Sequence, residues 1–436
     1  MSALTIASTP RLDVIVPLVQ PRTPQRTAPV KTFPDAPPWA SRLTTVGVTG
    51  TNGKTTTTGL VAAALGSMSK PVPSITTLGR FLDERKVELS KGHTGFLELM
   101  QRGLDGGGRF ASIEITSEVL AKQFMRAWPC QVGIFTNLTR DHLDRHATAE
   151  AYLASKAQLF VALPAGGTAV LNGCDPASEL LSRVVGEGVS ILRYGAASRG
   201  TAHAALDLEA SRIDLDWEGT SVALRWSDAR RAAATGPLPD ELRVRSIGEV
   251  FAENAMAALL AAMALGASGV DAARAIAAAT APRGRFEVVA KSPYVVVDYA
   301  HSPDALARTF AAARRLASGK VTAVFGAGGN RDRGKRPLMG EAAMITDRVF
   351  ITTDNPRDES AADIAAAIRG GMTDHPAACT ELDRARAITV AIQEAHPDDV
   401  IVVAGKGHEG EQIGKAGKTK PFSDIDVAQK AHAKRG

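Results

Sequence analysis

Hydrophobic and polar positions alternate in blocks along this chain, and the blocks repeat a strand-then-helix rhythm. From Leu43, LTTVGVTG is a short apolar run entering a glycine turn, and Lys54–Leu65 follows with helical character. Further apolar runs at Phe110–Ile115, Val132–Thr136 and Thr168–Asn172 are separated by helical stretches. Such alternation predicts an α/β domain with a mostly parallel sheet. Residues 201–247 change period: LDLEASRIDLDWEGTSVALRWS alternates as antiparallel strands do, and predicts a small β insertion. An alanine-rich helical stretch, Val250–Ala279, ends at APRGRFEVV, which reads as a hinge. Four more strand-to-loop units follow: YVVVDYAH, KVTAVFGAGG, RVFITTDNP and DVIVVAGKG. Each ends in residues able to do chemistry, where α/β sheets collect ligands. The expected architecture is a central phosphate-loop domain with a small β insertion, residues 43–282, and a Rossmann-like α/β domain, residues 283–436.

Residues 1–42 fit neither unit. Seven prolines fall between Pro17 and Pro38, which suits an extended arm and not a helix or strand. At 436 residues the length allows about three domains, so the pattern accounts for two and a tail. No run reaches the ~18 apolar residues of a membrane span, and the first 20 residues lack the layout of a signal peptide. Cys130, Cys174 and Cys379 form no CxxC pair; zinc ribbons and disulfide frameworks are disfavoured and a cytoplasmic location is expected. The net charge of +5 comes from 51 basic and 46 acidic residues. That mild excess suits anionic small ligands, and no nucleic-acid motif accompanies it.

Gly50-Thr51-Asn52-Gly53-Lys54-Thr55-Thr56 sits between a strand and a helix, as a phosphate loop must. Backbone N–H groups would cradle phosphate oxygens, Lys54 would add a cation, and the Thr55 hydroxyl would face Mg²⁺. Val48 stands where the strict pattern has glycine, so the loop is a variant. Glu114 ends one apolar strand and His142 lies on the exit loop of the next. On the residues alone, Glu114 is a Mg²⁺ ligand or a lysine's partner, His142 a ligand or a loop residue, and Lys156 a solvated surface charge.

The segments VGVTGTNGKTTT, IEITSE, FTNLTRDHLDRHATAEAYLASKAQLF, GRFEVV, VVVDYAHSPDAL, VFGAGGNRDRGKRPLMG, TTDNPR and VVAGKGHE occur in one order. In that order the chain resembles the Mur ligases over residues 43–427, most closely the branch adding the third amino acid of the peptidoglycan stem. The resemblance implies an ATP-dependent ligase that joins an amino acid to a carboxylate acceptor through an acyl phosphate. It implies ATP and two Mg²⁺ ions as cofactors. Lys54 and Thr55 would hold phosphates and metal, with Glu114, His142 and Lys156 as further ligands, Lys156 through a CO₂-derived carbamate. Asn137, Asn254, Arg285, Asp298 and His301 would surround the nucleotide, and Arg285 would reach its phosphates. Asp354, Asn355 and Arg357, with Arg331, Gly405 and Glu409, match the pocket for a diaminopimelate-like amino acid. A guanidinium and a carboxylate together suit a zwitterionic end.

The acceptor side departs from the family pattern. The proline-rich arm leaves no room for the usual amino-terminal domain that holds a UDP-sugar. Gly92-His93-Thr94-Gly95 replaces a Thr-Thr-Pro segment, and Thr116-Ser117-Glu118 replaces Ser-Ser-His. Glu118 would repel an anionic acceptor if it faces the site. The acceptor and the oligomeric state stay open on this reading. So do two alternatives: a non-catalytic nucleotide-binding relative, and a folylpolyglutamate-type ligase, from which the DNPR and GKGHE segments point away.

Overall fold

A computed structural model of the chain describes residues 33–139, 148–196, 202–229, 235–372 and 375–435. Among these residues the first sheet contains β1 (Thr44–Thr49), β2 (Pro73–Thr76), β3 (Gly79–Leu82), β4 (Arg85–Lys86), β5 (Phe110–Glu114) and β6 (Val132–Phe135). It continues with β7 (Thr168–Asn172), β8 (Ser190–Ala196), β9 (Leu208–Asp216), β10 (Gly219–Trp226) and β11 (Leu242–Val244). Their spatial order is β11-β10-β9-β8-β7-β6-β1-β5-β2-β3-β4. The sheet is parallel from β2 through β9 and antiparallel at both edges. The alternating segment therefore forms antiparallel strands, as its period predicts, but does not fold apart. β9 pairs in parallel with β8 from Tyr194 to Ala196 and extends the same sheet.

The helices that matter for the site are α1 (Lys54–Leu65), α2 (Gly92–Asp105), α3 (Ser117–Ala121), α4 (Ala149–Val161), α5 (Glu249–Ala264) and α6 (Gly269–Ala278). The alanine-rich stretch is two helices, not one. It breaks at Gly266, whose φ of +93° is a left-handed conformation that only glycine takes at little cost. α5 is buried on nearly every side, from Phe251 to Met263. A helix that is apolar on most sides has little solvent face to keep, and its alanines let it lie close to neighbouring elements, while its first turns carry Glu253 and Asn254. Sheet and helix share one core containing Val46, Val48, Val61, Leu65, Leu259 and Leu260.

The second sheet holds β12 (Glu287–Ala290), β13 (Tyr294–Asp298), β14 (Val321–Phe325), β15 (Arg348–Ile351), β16 (Ala378–Thr380) and β17 (Val400–Ala404), ordered β12-β13-β17-β14-β15-β16. Only β12 runs antiparallel. Val295, Val297, Val324, Ile401 and Val403 are fully buried, which explains the unbroken valine runs in these strands. α7 (Pro303–Leu316) follows β13, and a small hairpin, β18 (Glu411–Ile413) with β19 (Thr419–Pro421), follows β17.

The end of the proline-rich arm is tied down. Phe33 meets Phe124 edge-on with ring centroids 5.1 Å apart, and Trp39 meets Trp128 at 5.9 Å. His93 belongs to this cluster, stacked on Phe96 at 5.6 Å and tilted against Phe33. The segment that replaces Thr-Thr-Pro thus spends its imidazole on packing under the arm.

Candidate active site

β1 lies between β5 and β6, so the exits of all three strands converge, and there the chain builds its phosphate loop. Gly53 caps α1 with a φ of +85°, and a Cβ at that position would lie 2.5 Å from Asn254 Oδ1. Both the dihedral and the close approach demand glycine. The β6 exit holds the loop in shape: Asn137 Oδ1 accepts from Asn52 N at 2.9 Å, Asn137 Nδ2 donates to Asn52 O at 3.2 Å, and Thr136 Oγ1 donates to Asn52 O at 2.6 Å. Lys54 Nζ folds back on its own loop, donating to Gly50 O at 3.1 Å and Thr51 O at 2.8 Å.

Glu114 lies beside the first turn of α1. Its Oε2 accepts from Thr55 Oγ1 at 2.8 Å and from Thr77 N at 3.0 Å. A carboxylate and a hydroxyl at a phosphate loop form a hard-oxygen donor set, which fits Mg²⁺ completed by phosphate oxygens and water. No group of three or more His, Cys, Asp or Glu side chains suited to a metal occurs among the described residues. His142 lies outside the described residues.

Lys156 is not the solvated surface charge that a lysine on a helix is by default. It is 1% exposed, its Nζ donates to Gly50 O at 2.7 Å, and it lies 4.1 Å over the Tyr152 ring. α4 thus delivers an ammonium into the base of the phosphate loop.

The cleft between the two sheets has a volume of about 420 Å³, within the range of ligand sites. Its wall includes Thr51, Asn52, Gly53, Lys54, Thr55, Thr56, Glu114, Lys156 and Asn254 from the first unit, and Arg285, Asp298 and His301 from the second. Gly50 contributes its carbonyl to the two lysines, and Asn137 acts through Asn52. Among the described residues, Asn254 Nδ2 and Arg285 Nε are buried without a hydrogen-bond partner, so polar atoms stand ready at the cleft. Arg285 also lies 4.4 Å over the Tyr299 ring. Glu118 is among the residues lining the cleft, with Thr116 and Ser117.

Asp298 differs from a simple nucleotide ligand. Its Oδ2 accepts from Phe286 N at 2.6 Å, and its Oδ1 from Ala300 N at 2.7 Å and Thr309 Oγ1 at 3.2 Å. Burial pushes its carboxyl above the usual aspartate range, while Arg285 and these bonds oppose the shift. It ties the hinge to the exit of β13. His408, on the loop after β17, packs 5.1 Å from Tyr299. Burial first, and the Arg285 charge next, hold its imidazole below the ordinary value of 6.5.

A second cluster gathers at the exits of β14, β15 and β17. Asn355 Nδ2 donates to Glu409 Oε2 at 3.1 Å, and Gln412 Nε2 donates to Asp354 O at 2.5 Å. Arg357 Nη1 donates to Gly329 O at 2.9 Å, and Arg331 and Arg357 both lie against Gly328. Gly405 has a φ of +116°, and a Cβ there would meet Asp354 Oδ2 at 2.7 Å. The structure thus brings together all six residues expected in the amino-acid pocket. Sequence reasoning missed Arg384, which is fully buried and pairs in two-pronged fashion with Asp424, Nε to Oδ1 and Nη2 to Oδ2, each at 2.7 Å. Nothing in its helical surroundings marks it, because its partner is 40 residues away. Three ties across the domains were also missed. Trp217 stacks on Tyr294 at 3.7 Å, Arg315 Nη1 binds Glu249 Oε1, and Arg308 approaches Glu253 to 3.7 Å.

No helix among the described residues is long and apolar enough to cross a membrane. Residues 48–262 match the Mur ligase middle domain, and residues 284–407 match the Mur ligase glutamate ligase domain. The UDP-N-acetylmuramoyl-L-alanyl-D-glutamate–2,6-diaminopimelate ligase of Thermosynechococcus vestitus is 37% identical over 408 residues, covering 91% of this chain and 78% of the relative. Its counterpart in Synechococcus elongatus is 38% identical over 405 residues, with the same coverage. A solved structure of a ligase of that name superposes with a TM-score of 0.61 at 31% identity, over 90% of this chain and 79% of the other. A Mycobacterium tuberculosis folylpolyglutamate synthase shares the fold alone, at TM-score 0.66 and 17% identity, over 90% and 91%. With both family domains matched in sequence and relatives at 37% and 38% identity over most of its length, the chain belongs to the Mur ligase family.

Proposed function

We propose that the chain is an ATP-dependent amide ligase that joins 2,6-diaminopimelate to the carboxylate of a UDP-N-acetylmuramoyl-dipeptide. In this reading residues 43–282 bind ATP and the acceptor, and residues 283–436 bring the amino acid. The observation that carries it is the pairing of two chemistries in neighbouring places. A phosphate loop with Glu114 lines the cleft, and Asp354, Asn355, Arg357 and Glu409 cluster at strand exits of the second unit, on loops that reach the cleft-lining Tyr299 through His408. The relatives' names supply the substrates.

A carboxylate is a poor electrophile, so the reaction needs an activated acyl group. The acceptor carboxylate oxygen attacks the γ-phosphorus, the bond to ADP breaks, and an acyl phosphate forms. The amine nitrogen then attacks the acyl carbon, loses a proton, and phosphate leaves. Lys54 and Arg285 supply positive charge where the transferring phosphoryl group gathers negative charge. Thr55 and Glu114 would hold Mg²⁺, which when bound neutralises phosphate charge. Lys156 would carry a carbamate; its place on the cleft wall against the Gly50 carbonyl supports that reading, since a carbamate there would add an anionic oxygen at the phosphate loop. The two units close around the acyl phosphate and exclude water that would hydrolyse it.

Glu118 favours a second reading of the acceptor. Its carboxylate on the cleft wall disfavours a highly anionic molecule and suits a shorter or less charged one. Incubating the chain with ATP, Mg²⁺, diaminopimelate and either UDP-muramoyl-dipeptide or uncharged-sugar acceptors, then weighing the product by mass spectrometry, separates the two. A mass gain of one diaminopimelate residue on neither acceptor would refute both.

A further inference from the structure

The amino-acid pocket contains a cation that the reading above does not use. Lys406 is 0% exposed, in the middle of a loop, where a lysine would ordinarily reach water. The backbone turns it inward. Gly405 and Gly407 flank it with φ of +116° and +54°, and a Cβ on Gly407 would collide with Gly284 O and Tyr299 Cβ, both at 2.8 Å. Between these two kinks the Lys406 side chain runs into the protein. Lys406 Nζ donates to Asn355 Oδ1 at 3.1 Å and to Glu409 Oε2 at 2.7 Å. Asn355 Nδ2 also donates to that Oε2, and Asn355 Oδ1 also accepts from Ile413 N at 2.9 Å. The three side chains form a closed ring. One Glu409 oxygen is consumed inside it, and Oε1 has no hydrogen-bond partner among the described residues.

The charges around the ring give it a consequence. Lys406 and Arg384 are buried beside three carboxylates, Asp354, Asp424 and Glu409. Arg357 and Arg331 supply further cations at the same strand exits, so the pocket holds both charges and suits a ligand end bearing both. Without Lys406 the Glu409 carboxylate would lose its cationic donor and keep only the amide of Asn355.

We infer that Lys406 is a positioning residue that sets which amino acid is accepted: it orients Glu409 and Asn355 and cancels one carboxylate. The pocket therefore prefers a zwitterionic far end to a plain ammonium. The inference rests on the amide-ligase reading and deepens it.

The test uses the full chain and its Lys406→Met variant. Measured are KM and kcat for diaminopimelate and for L-lysine, together with KM for ATP. Lys406→Met is expected to raise KM for diaminopimelate about 10–100-fold, the size of a lost charge-assisted bond. The diaminopimelate-to-lysine ratio of kcat/KM falls by a similar factor, while kcat and KM for ATP stay within about threefold. A structural defect alone would lower use of both amino acids together and leave the ratio. A folded Lys406→Met protein with an unchanged ratio overturns the inference. If that variant does not fold, Lys406→Met with Glu409→Gln removes both charges; it is expected to fold without preference between the two amino acids, and a wild-type preference would overturn the inference. A wild-type chain that consumes ATP with neither amino acid refutes the ligase reading itself, a different outcome from an active wild type with an unaffected variant.

Discussion

Lys156 Nζ lies 2.7 Å from the carbonyl oxygen of Gly50, so a helix residue 106 positions downstream plants a buried ammonium at the root of the phosphate loop. An ammonium shielded from water is costly unless it is paired, and here the Gly50 carbonyl and the Tyr152 ring hold it. Lys156→Ala is expected to lower kcat at least 100-fold while the protein remains folded, and small carboxylates added to that variant are expected to restore part of the rate. Steady-state ADP release with and without acetate or formate checks both. No rescue, with wild-type activity unaffected by CO₂ depletion, would remove the carbamate from the account.

Arg357 rests on Gly329 O in the rim of the amino-acid pocket. Its replacement by alanine is expected to raise KM for diaminopimelate about 10–100-fold, the range for losing a hydrogen bond to a charged group. ATP binding, followed by calorimetry with a non-hydrolysable analogue, stays unchanged. Equal loss of both would move Arg357 out of the pocket.

Arg384 and Asp424 form a fully buried ion pair that holds the loop carrying Gly405, since Arg384 Nη2 also donates to Ala404 O at 2.8 Å. Asp424→Asn leaves a buried guanidinium without its counter-charge. Such a loss costs about 3–5 kcal/mol. The melting temperature should fall by several degrees or more, measured by calorimetry, with Arg384→Met and Asp424→Asn combined less destabilising than Asp424→Asn alone.

Trp217 stacks on Tyr294 with the rings 6° from parallel and joins the β9–β10 turn to the second unit. An aromatic pair is worth about 0.5–1.5 kcal/mol beyond its buried area. Trp217→Ala is therefore expected to raise KM for ATP about 2–10-fold by loosening the closed cleft. An unchanged KM, with an unchanged radius of gyration in solution scattering, would show that the stack does not hold the units together.

His408 supplies a pH dependence. Its proton affinity is lowered in the folded chain by burial and by Arg285, with Lys86 acting in the same direction and Glu409 and Glu114 in the opposite one. The unfolded chain therefore binds the proton more readily below about 6.5. The stability carried by neutral His408 is fully present above that value and is lost as pH falls through the lower, folded value. Between pH 7.5 and 5.5 the wild-type melting temperature should drop more than that of His408→Gln. Parallel curves would refute this. His93 is shifted in the same direction by burial and remains in both proteins, so the difference isolates His408.

Much of this architecture was readable from the chain because local rules decide it. Lys54–Leu65 is the first helix to the residue and Thr168–Asn172 a strand to the residue, since glycine turns and apolar runs mark their ends. The phosphate loop was legible for the same reason: its glycines and Lys54 are contiguous. What was hidden depends on contacts between distant residues. Lys156 reads by default as a surface charge because no local signal shows the Gly50 carbonyl 106 positions away. Lys406 was passed over between Gly405 and Glu409 because a lysine in a loop ordinarily faces water; the two left-handed glycines beside it turn it inward. The extension of the first sheet by β9 to β11 escaped because alternation reveals strand type, not which strand is the neighbour.

The proposed reaction couples ATP cleavage to the joining of diaminopimelate and a carboxylate acceptor. Its most direct test is ADP release by the purified full-length chain with Mg²⁺ and UDP-muramoyl-L-alanyl-D-glutamate, with and without diaminopimelate. The prediction is one ADP per amide formed, with release dependent on both substrates and abolished in Lys54→Ala. ADP release that ignores the amino acid, or none with any acceptor, would contradict it.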